Sequence, residues 1–129
     1  MADDVPQDVQ RFLWATVDSI MQLEVLLLLR SQPERFWSSD DLAAELRVDP
    51  AGAKQQILPL VQRGVVLSST PESSSFAYGV KSSDDDALVE SIGRHYIERR
   101  VTIVTLIYSR PQSEKKSDPA RRFADAFRL

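Results

Sequence analysis

Residues 38–64 read SSDDLAAELRVDPAGAKQQILPLVQRG, and they contain the start signals of two consecutive helices. Ser38 followed by Asp41 fits a capping box, in which each side chain accepts a hydrogen bond from the other residue's backbone amide. Asp49 followed by Pro50 supplies a second cap, with the proline at the first helical position, where its missing amide costs nothing. The segment therefore predicts a short helix, a turn and a second helix.

The second of these helices is predicted to run from Pro50 to Arg63. Gly64 suits its end, because the residue after a helix often adopts a positive φ. Extended, alternating residues follow, and they predict a β-hairpin with strands of about six and five residues around a turn at residues 71–75. The turn region includes the stretch from Glu72 to Ser75, which has no arginine or lysine.

Two helices precede this segment. Residues 5–17 have apolar side chains at helical spacing and predict a short N-terminal arm. A second helix is predicted to begin at Ser19, which with Gln22 fits a capping box. Its apolar run makes it the central buried helix. The predicted core comprises Leu23, Leu27, Leu42, Leu46, Ile57, Leu60, Val61, Val66 and Phe76.

The C-terminal third predicts one long helix over about 84–109, opened by a capping box between Ser83 and Asp86. Six of the eight residues in 101–108 are β-branched, so a strand stays open as the alternative there. The whole chain divides into an N-terminal helical arm (1–17), a central domain (18–82), the long helix (83–110), and a polar linker with a short amphipathic tail (111–129).

Composition restricts the chemistry. The 129 residues include no cysteine and one histidine, and the net charge is −3. No disulfide, thiolate site or multi-histidine metal site is expected, and no catalytic constellation is present, so we expect neither an enzyme nor a cofactor. The longest apolar run is five residues, too short for a membrane span. The N-terminus lacks signal-peptide features, which predicts a cytoplasmic protein.

The chain resembles the winged helix–turn–helix transcriptional regulators, including the MarR-type (multiple-antibiotic-resistance regulator) families. The resemblance lies in the residues quoted above and in the order of helix, short helix, turn, helix, two strands and long helix. The resemblance covers about residues 19–82. It implies a mainly α fold with a small β-hairpin, in which helix 50–63 enters the major groove of duplex DNA. Lys54 and Gln55 would then contact bases or phosphate, with Arg47 and Arg63 near phosphates.

A second hypothesis makes the same fold a protein-interaction module without direct DNA binding. The acidic balance favours it, as do the apolar pair Leu58-Pro59 on the second helix and the wing tip without cations. In either case the long helix predicts a homodimer, because a helix that is apolar on nearly every side needs cover. The predicted interface residues are Val101, Ile103, Val104 and Ile107.

The tail, residues 119–129, predicts a last short helix. Phe123 and Phe127 stand at four-residue spacing, so they would share one face of it. Three arginines accompany them: Arg121, Arg122 and Arg128. We expect this tail to dock on the dimer or on a partner protein in preference to a membrane surface, because single weak anchors bind membranes only marginally.

Overall fold

The computed structural model describes residues 5–69 and 75–109. As predicted, this part of the chain is mainly helical with a small antiparallel sheet. The elements are α1 (Gln7–Thr16), α2 (Ile20–Ser31), β1 (Trp37–Ser38), α3 (Ser39–Leu46), α4 (Pro50–Gln62), β2 (Val66–Ser68), β3 (Ser75–Tyr78), α5 (Ser83–Glu98) and α6 (Arg100–Tyr108). The predicted hairpin turn, apart from Ser75, and the predicted linker and tail (111–129) lie outside the described residues.

The predicted capping box of α3 is confirmed. Ser38 Oγ accepts a hydrogen bond from the Asp41 amide at 3.0 Å, and the Ser38 amide donates to Asp41 Oδ2 at 3.3 Å. At the start of α4, Asp49 Oδ2 accepts from the Gly52 amide at 3.0 Å, with Pro50 at the first helical position. These side chains satisfy amides that a helix leaves without partners in its first turn.

The cap of α2 departs from the predicted box. Ser19 Oγ accepts from the Gln22 amide at 3.1 Å, as expected. The Gln22 side chain instead accepts from the amide of Asp18 at 2.6 Å, one residue before the cap. Its length allows this reach, so one amide ahead of the helix and one in its first turn are satisfied.

The sheet has the order β1-β3-β2, and both pairings are antiparallel. Its strands have two to four residues, so those of the hairpin are shorter than predicted. The sequence did not predict β1, because two residues are too few to show alternation. Gly79 follows β3, and a Cβ there would lie 2.9 Å from the Leu67 amide nitrogen. Only glycine permits this close approach of the two backbone segments.

The predicted core is confirmed in its main members. Six of the nine side chains are at most 2% exposed: Leu23, Leu42, Ile57, Leu60, Val66 and Phe76. The remaining three, Leu27, Leu46 and Val61, are half-buried and pack against that core. Helices α2, α3 and α4 and the sheet therefore enclose one apolar centre.

The prediction of one continuous helix over 84–109 was wrong. Arg99, with φ −140° and ψ 60°, separates α5 from α6. Helical periodicity would place Arg99 or Arg100 in the buried stripe between Tyr96 and Ile103, which would desolvate a guanidinium. The break falls at that point, and Arg100 is exposed. Residues 101–108 are helical, which excludes the strand alternative.

The predicted capping box of α5 also needs correction. Ser82, not Ser83, is the cap, and its hydroxyl accepts from the amide of Asp85 at 3.3 Å. The Asp86 side chain faces Arg30 on α2 instead of turning back to the cap. The Asp86 side chain is thus used in a tertiary contact, which local sequence cannot show.

Candidate functional site

Helices α3 and α4 pack together across a turn centred on Arg47. This residue adopts the left-handed conformation, with φ 61° and ψ 48°, and closes α3. Beyond the turn, Gln55 is exposed and Lys54 is half-buried on α4. Within the described part of the chain, Arg47, Lys54 and Gln55 have no side-chain hydrogen bond or ion pair. The structure therefore leaves three of the four predicted DNA-contacting side chains accessible.

The fourth, Arg63, is held inside the chain. Its guanidinium donates to the Thr16 carbonyl oxygen at 2.9 Å and to Asp18 Oδ2 at 2.6 Å. The first bond satisfies a carbonyl at the C-terminal end of α1, and the second is an ion pair whose arginine side chain is 29% exposed. These bonds join α4 to the α1–α2 connection, so Arg63 has a structural role and is less available to a phosphate than a cation without partners.

The charge around the turn is mainly negative. Asp40, Asp41 and Glu45 on α3 are exposed. Arg35 lies 3.8 Å from Asp41 and stacks 3.5 Å above the Trp37 ring. A phosphate backbone approaching this face would meet carboxylates that repel it.

The apolar pair on α4 is less available than predicted. Leu58 and Pro59 are both half-buried, and Leu58 packs against the core. The helix continues through Pro59 to Gln62. Leu58 therefore contributes to the fold, and this part of α4 is a poor surface for a partner.

Predicted interface residues on α6 divide between the core and the surface. Ile103 is 0% exposed and Ile107 is 3% exposed, so both are covered by the chain itself. Val101 is 79% exposed, and Val104 is half-buried. Trp14 on α1 donates its indole N–H to the Leu106 carbonyl at 2.7 Å, which attaches α6 to the arm.

An apolar groove of about 410 Å³ lies between α2 and α5. Val89, Gly93 and Ile97 are spaced by four residues on α5 and form one wall, with Leu27 of α2 opposite. Gly93 lets α2 and α5 approach closely, because a Leu27 methyl carbon lies 3.1 Å from where a Cβ would be. The rim consists of Arg30, Ser31, Glu90, Arg94 and Glu98.

One ion pair holds the two walls together. Arg30 donates from Nε to Asp86 Oδ1 at 2.9 Å and from a terminal nitrogen to Oδ2 at 3.0 Å. Tyr78 of β3 donates its hydroxyl to the same Oδ1 at 2.6 Å. The hydrogen bonds from Arg30 and Tyr78 hold the pKa of Asp86 below its usual value. Burial and the bond to Asp86 raise the pKa of Tyr78.

Sequence analysis did not find this groove. Its residues come from two helices that are separated by more than fifty positions along the chain. A partial signal existed: Ile97 falls outside the buried stripe of α5, and it is 84% exposed. Single exposed aliphatic side chains are common on protein surfaces, so this signal becomes informative only together with the groove beside it.

The described ranges contain no group of three or more histidine, aspartate or glutamate side chains placed to hold a metal ion. His95 donates from Nδ1 to the Ser91 carbonyl oxygen at 2.8 Å, one helical turn back. Among the described helices, none is long and apolar enough to cross a membrane alone; α1 and α2 meet that test only as a pair, with a 102° bend between them.

Comparisons with protein-family models, curated proteins and solved structures found no match to this chain.

Proposed function

We propose that this chain is a protein-interaction module of winged-helix type, and that the α2–α5 groove binds an amphipathic helix. The observation that carries this proposal is the groove itself, whose wall includes Ile97 at 84% exposure. Recognition of an amphipathic helix in an apolar groove uses anchors spaced by three or four residues. The groove wall on α5 offers apolar positions at the same spacing.

The dimensions and charges of the groove define the partner. From Val89 to Ile97 the wall is about 12 Å long at 1.5 Å per residue, which matches a helix of two to three turns. Arg30 is paired with Asp86, so the rim charges left for a ligand are those of Glu90, Glu98 and Arg94. A helix with an apolar face and flanking basic residues complements that surface.

Direct DNA recognition is the second candidate, and one observation favours it: Gln55 is exposed on the helix that the resemblance assigns to the major groove. Two observations count against it. Arg63 is bound to Asp18 and the Thr16 carbonyl, and α3 presents three exposed carboxylates beside the turn. Phosphate contacts supply most of the affinity for DNA, so this face is poorly suited to duplex binding.

The test is a binding measurement with a defined peptide. The probe is a fluorescein-labelled peptide with the sequence of residues 117–129, SDPARRFADAFRL, which has the required apolar and basic side chains. The protein is the full chain carrying Phe123→Asp and Phe127→Asp, so that its own copy of this sequence does not compete. We expect fluorescence anisotropy to show saturable binding.

Ile97→Asp should abolish this binding, because it places a charge in the groove wall. Phe36→Asp is the control: Phe36 is also a large apolar side chain at the surface, 49% exposed, and lies outside the groove. Equal loss of binding in both variants, or no binding to the parent protein, would contradict the proposal.

A further inference from the structure

We infer that residues 119–129 of the chain occupy the α2–α5 groove of the same molecule, so that a partner helix must displace the chain's own tail. This inference rests on the proposed function, and it names an occupant and a form of regulation for that groove. Three independent features of the chain support it: reach, charge and the pattern of apolar side chains.

The tail reaches the groove. At the end of α6, the Tyr108 hydroxyl accepts a hydrogen bond from the Ile20 amide, 3.4 Å away, at the first turn of α2. The groove lies beside Leu27 to Ser31 of the same helix, roughly 10–17 Å further along its axis at 1.5 Å per residue. An extended linker over 110–118 spans up to about 30 Å. The segment that follows therefore arrives beside the groove without strain.

Charge favours this contact. Residues 1–109 carry ten basic and sixteen acidic side chains, a net charge of −6. Residues 110–129 carry six basic and three acidic side chains, a net charge of +3. The attraction between the two parts persists at short range in salt, because the linker keeps the tail near the groove. Glu90 and Glu98 on the rim are exposed and suit the arginines of the tail.

The tail also has the required apolar face. As a helix, residues 119–129 would place Phe123 and Phe127 on one side, one turn apart. The apolar positions on the α5 wall are likewise one turn apart: Val89, Gly93 and Ile97. The groove, with a volume of about 410 Å³, has room for an aromatic side chain. The groove and the tail are therefore complementary in size, spacing and charge.

A competition measurement tests the inference and separates it from the proposed function. The labelled peptide described above is titrated into the wild-type chain and into the Phe123→Asp/Phe127→Asp chain. We expect wild type to bind the probe more weakly by on the order of tenfold or more, because a tethered competitor acts at an effective concentration near millimolar. Ala124→Asp/Ala126→Asp is the matched control, which adds the same charge but keeps both phenylalanines, and it should stay closer to wild type.

The outcomes are distinct. Equal probe affinity for wild type and the double-phenylalanine variant would overturn the inference and leave the groove function intact. Binding to neither protein would overturn the proposed function and the inference with it. A second measurement tests the position of the tail directly. For that measurement, a nitroxide is attached at Ala124→Cys, a single labelling site because the chain has no cysteine.

In this second measurement, backbone amides of Ser31, Gly93 and Ile97 should broaden strongly in NMR spectra, whereas that of Gln55 should not. Phe127→Asp should remove the broadening. A mixture of nitroxide-labelled chains with unlabelled, ¹⁵N-enriched chains separates docking of the tail within one molecule from docking between two molecules. Broadening within one molecule supports the inference, and broadening only between molecules overturns it. Uniformly weak broadening across the chain would also overturn it.

Discussion

Arg30 and Asp86 form a two-bond ion pair that joins α2 to the first turn of α5, with nitrogen–oxygen distances of 2.9 and 3.0 Å. Tyr78 adds a third hydrogen bond, from β3 to the same carboxylate. The pair thus connects three elements at one end of the groove. It also fixes the separation of the groove walls, because bidentate arginine–carboxylate contacts define both distance and orientation.

Loss of this carboxylate should destabilise the protein. Asp86→Asn removes the charge and one of the acceptor oxygens, and we expect the free energy of unfolding in urea to fall by about 1–2 kcal/mol. Hydrogen bonds to charged groups are worth somewhat more than this, but the Asp86 side chain is 40% exposed and solvent weakens the pair. Asp85→Asn is the control, since the Asp85 side chain is exposed.

The same pair should contribute to acid sensitivity. The folded state holds the pKa of Asp86 below its unfolded value of about 3.9, so the stabilisation is complete above that pH and is lost as the pH falls through the folded pKa. Unfolding measured from about pH 6 to pH 2 should therefore show a shallower decline for Asp86→Asn than for wild type. Parallel declines in the two proteins would contradict this assignment.

Arg47→Gly should stabilise the chain. Arg47 has φ 61°, a conformation in which a Cβ approaches the following carbonyl, and glycine avoids that contact. We expect a gain of about 0.5–1 kcal/mol in thermal or urea unfolding, since the larger entropy of unfolded glycine offsets part of the benefit. Arg47→Ala is the control, because it removes the charge but keeps the Cβ. An equal gain in both variants would show that charge, not backbone conformation, is responsible.

Truncation of leucines to alanine should lower the free energy of unfolding more in the core than at its periphery. Leu60 is 0% exposed, and Leu60→Ala should cost about 2–5 kcal/mol of unfolding free energy, the range for a filled site that cannot collapse. Leu46 is half-buried, so Leu46→Ala should cost less than Leu60→Ala in the same urea titration. The reverse order would mean that the packing of α3 and α4 has been assigned to the wrong faces.

Local signals in the sequence were sufficient to predict the two helices on either side of the Arg47 turn. Ser38, Asp41, Asp49 and Pro50 act through contacts within four residues, and such contacts are visible in the order of the chain. The buried stripe of the core followed from helical spacing in the same way. A mainly helical fold with a small sheet could therefore be predicted.

Features that depend on residues far apart along the chain could not be predicted from the sequence. The break at Arg99 depends on which face of α5 and α6 is buried, and the pairing of Asp86 with Arg30 joins residues that lie 56 positions apart. The role of Arg63 depends on Asp18, more than forty positions away. The candidate site was missed for the same reason, because α2 and α5 must first be brought together.

A homodimer stays a prediction, and the structure now identifies which residues test it. Val101 is 79% exposed on an uncharged stretch of α6, so Val101→Glu should leave the fold of each subunit intact and convert a micromolar dimer into a monomer in sedimentation. Ile103→Glu should instead unfold the chain, at a cost of more than about 3 kcal/mol, because it buries a charge without a partner. A wild-type monomer at micromolar concentration would contradict the dimer.

The last prediction separates the two candidate functions. With Arg63 bound to Asp18, each subunit offers Arg47, Lys54 and Lys81 to a duplex, so a dimer would make roughly six phosphate contacts at most. We expect mobility-shift assays with a pool of random duplexes to enrich no sequence, and any binding at about 50 mM salt to disappear by about 200 mM. Lys54→Ala should weaken that residual binding equally for all duplexes. An enriched sequence whose preference is relaxed at one base by Gln55→Ala would instead establish direct readout by α4, and would make DNA recognition the function of this chain.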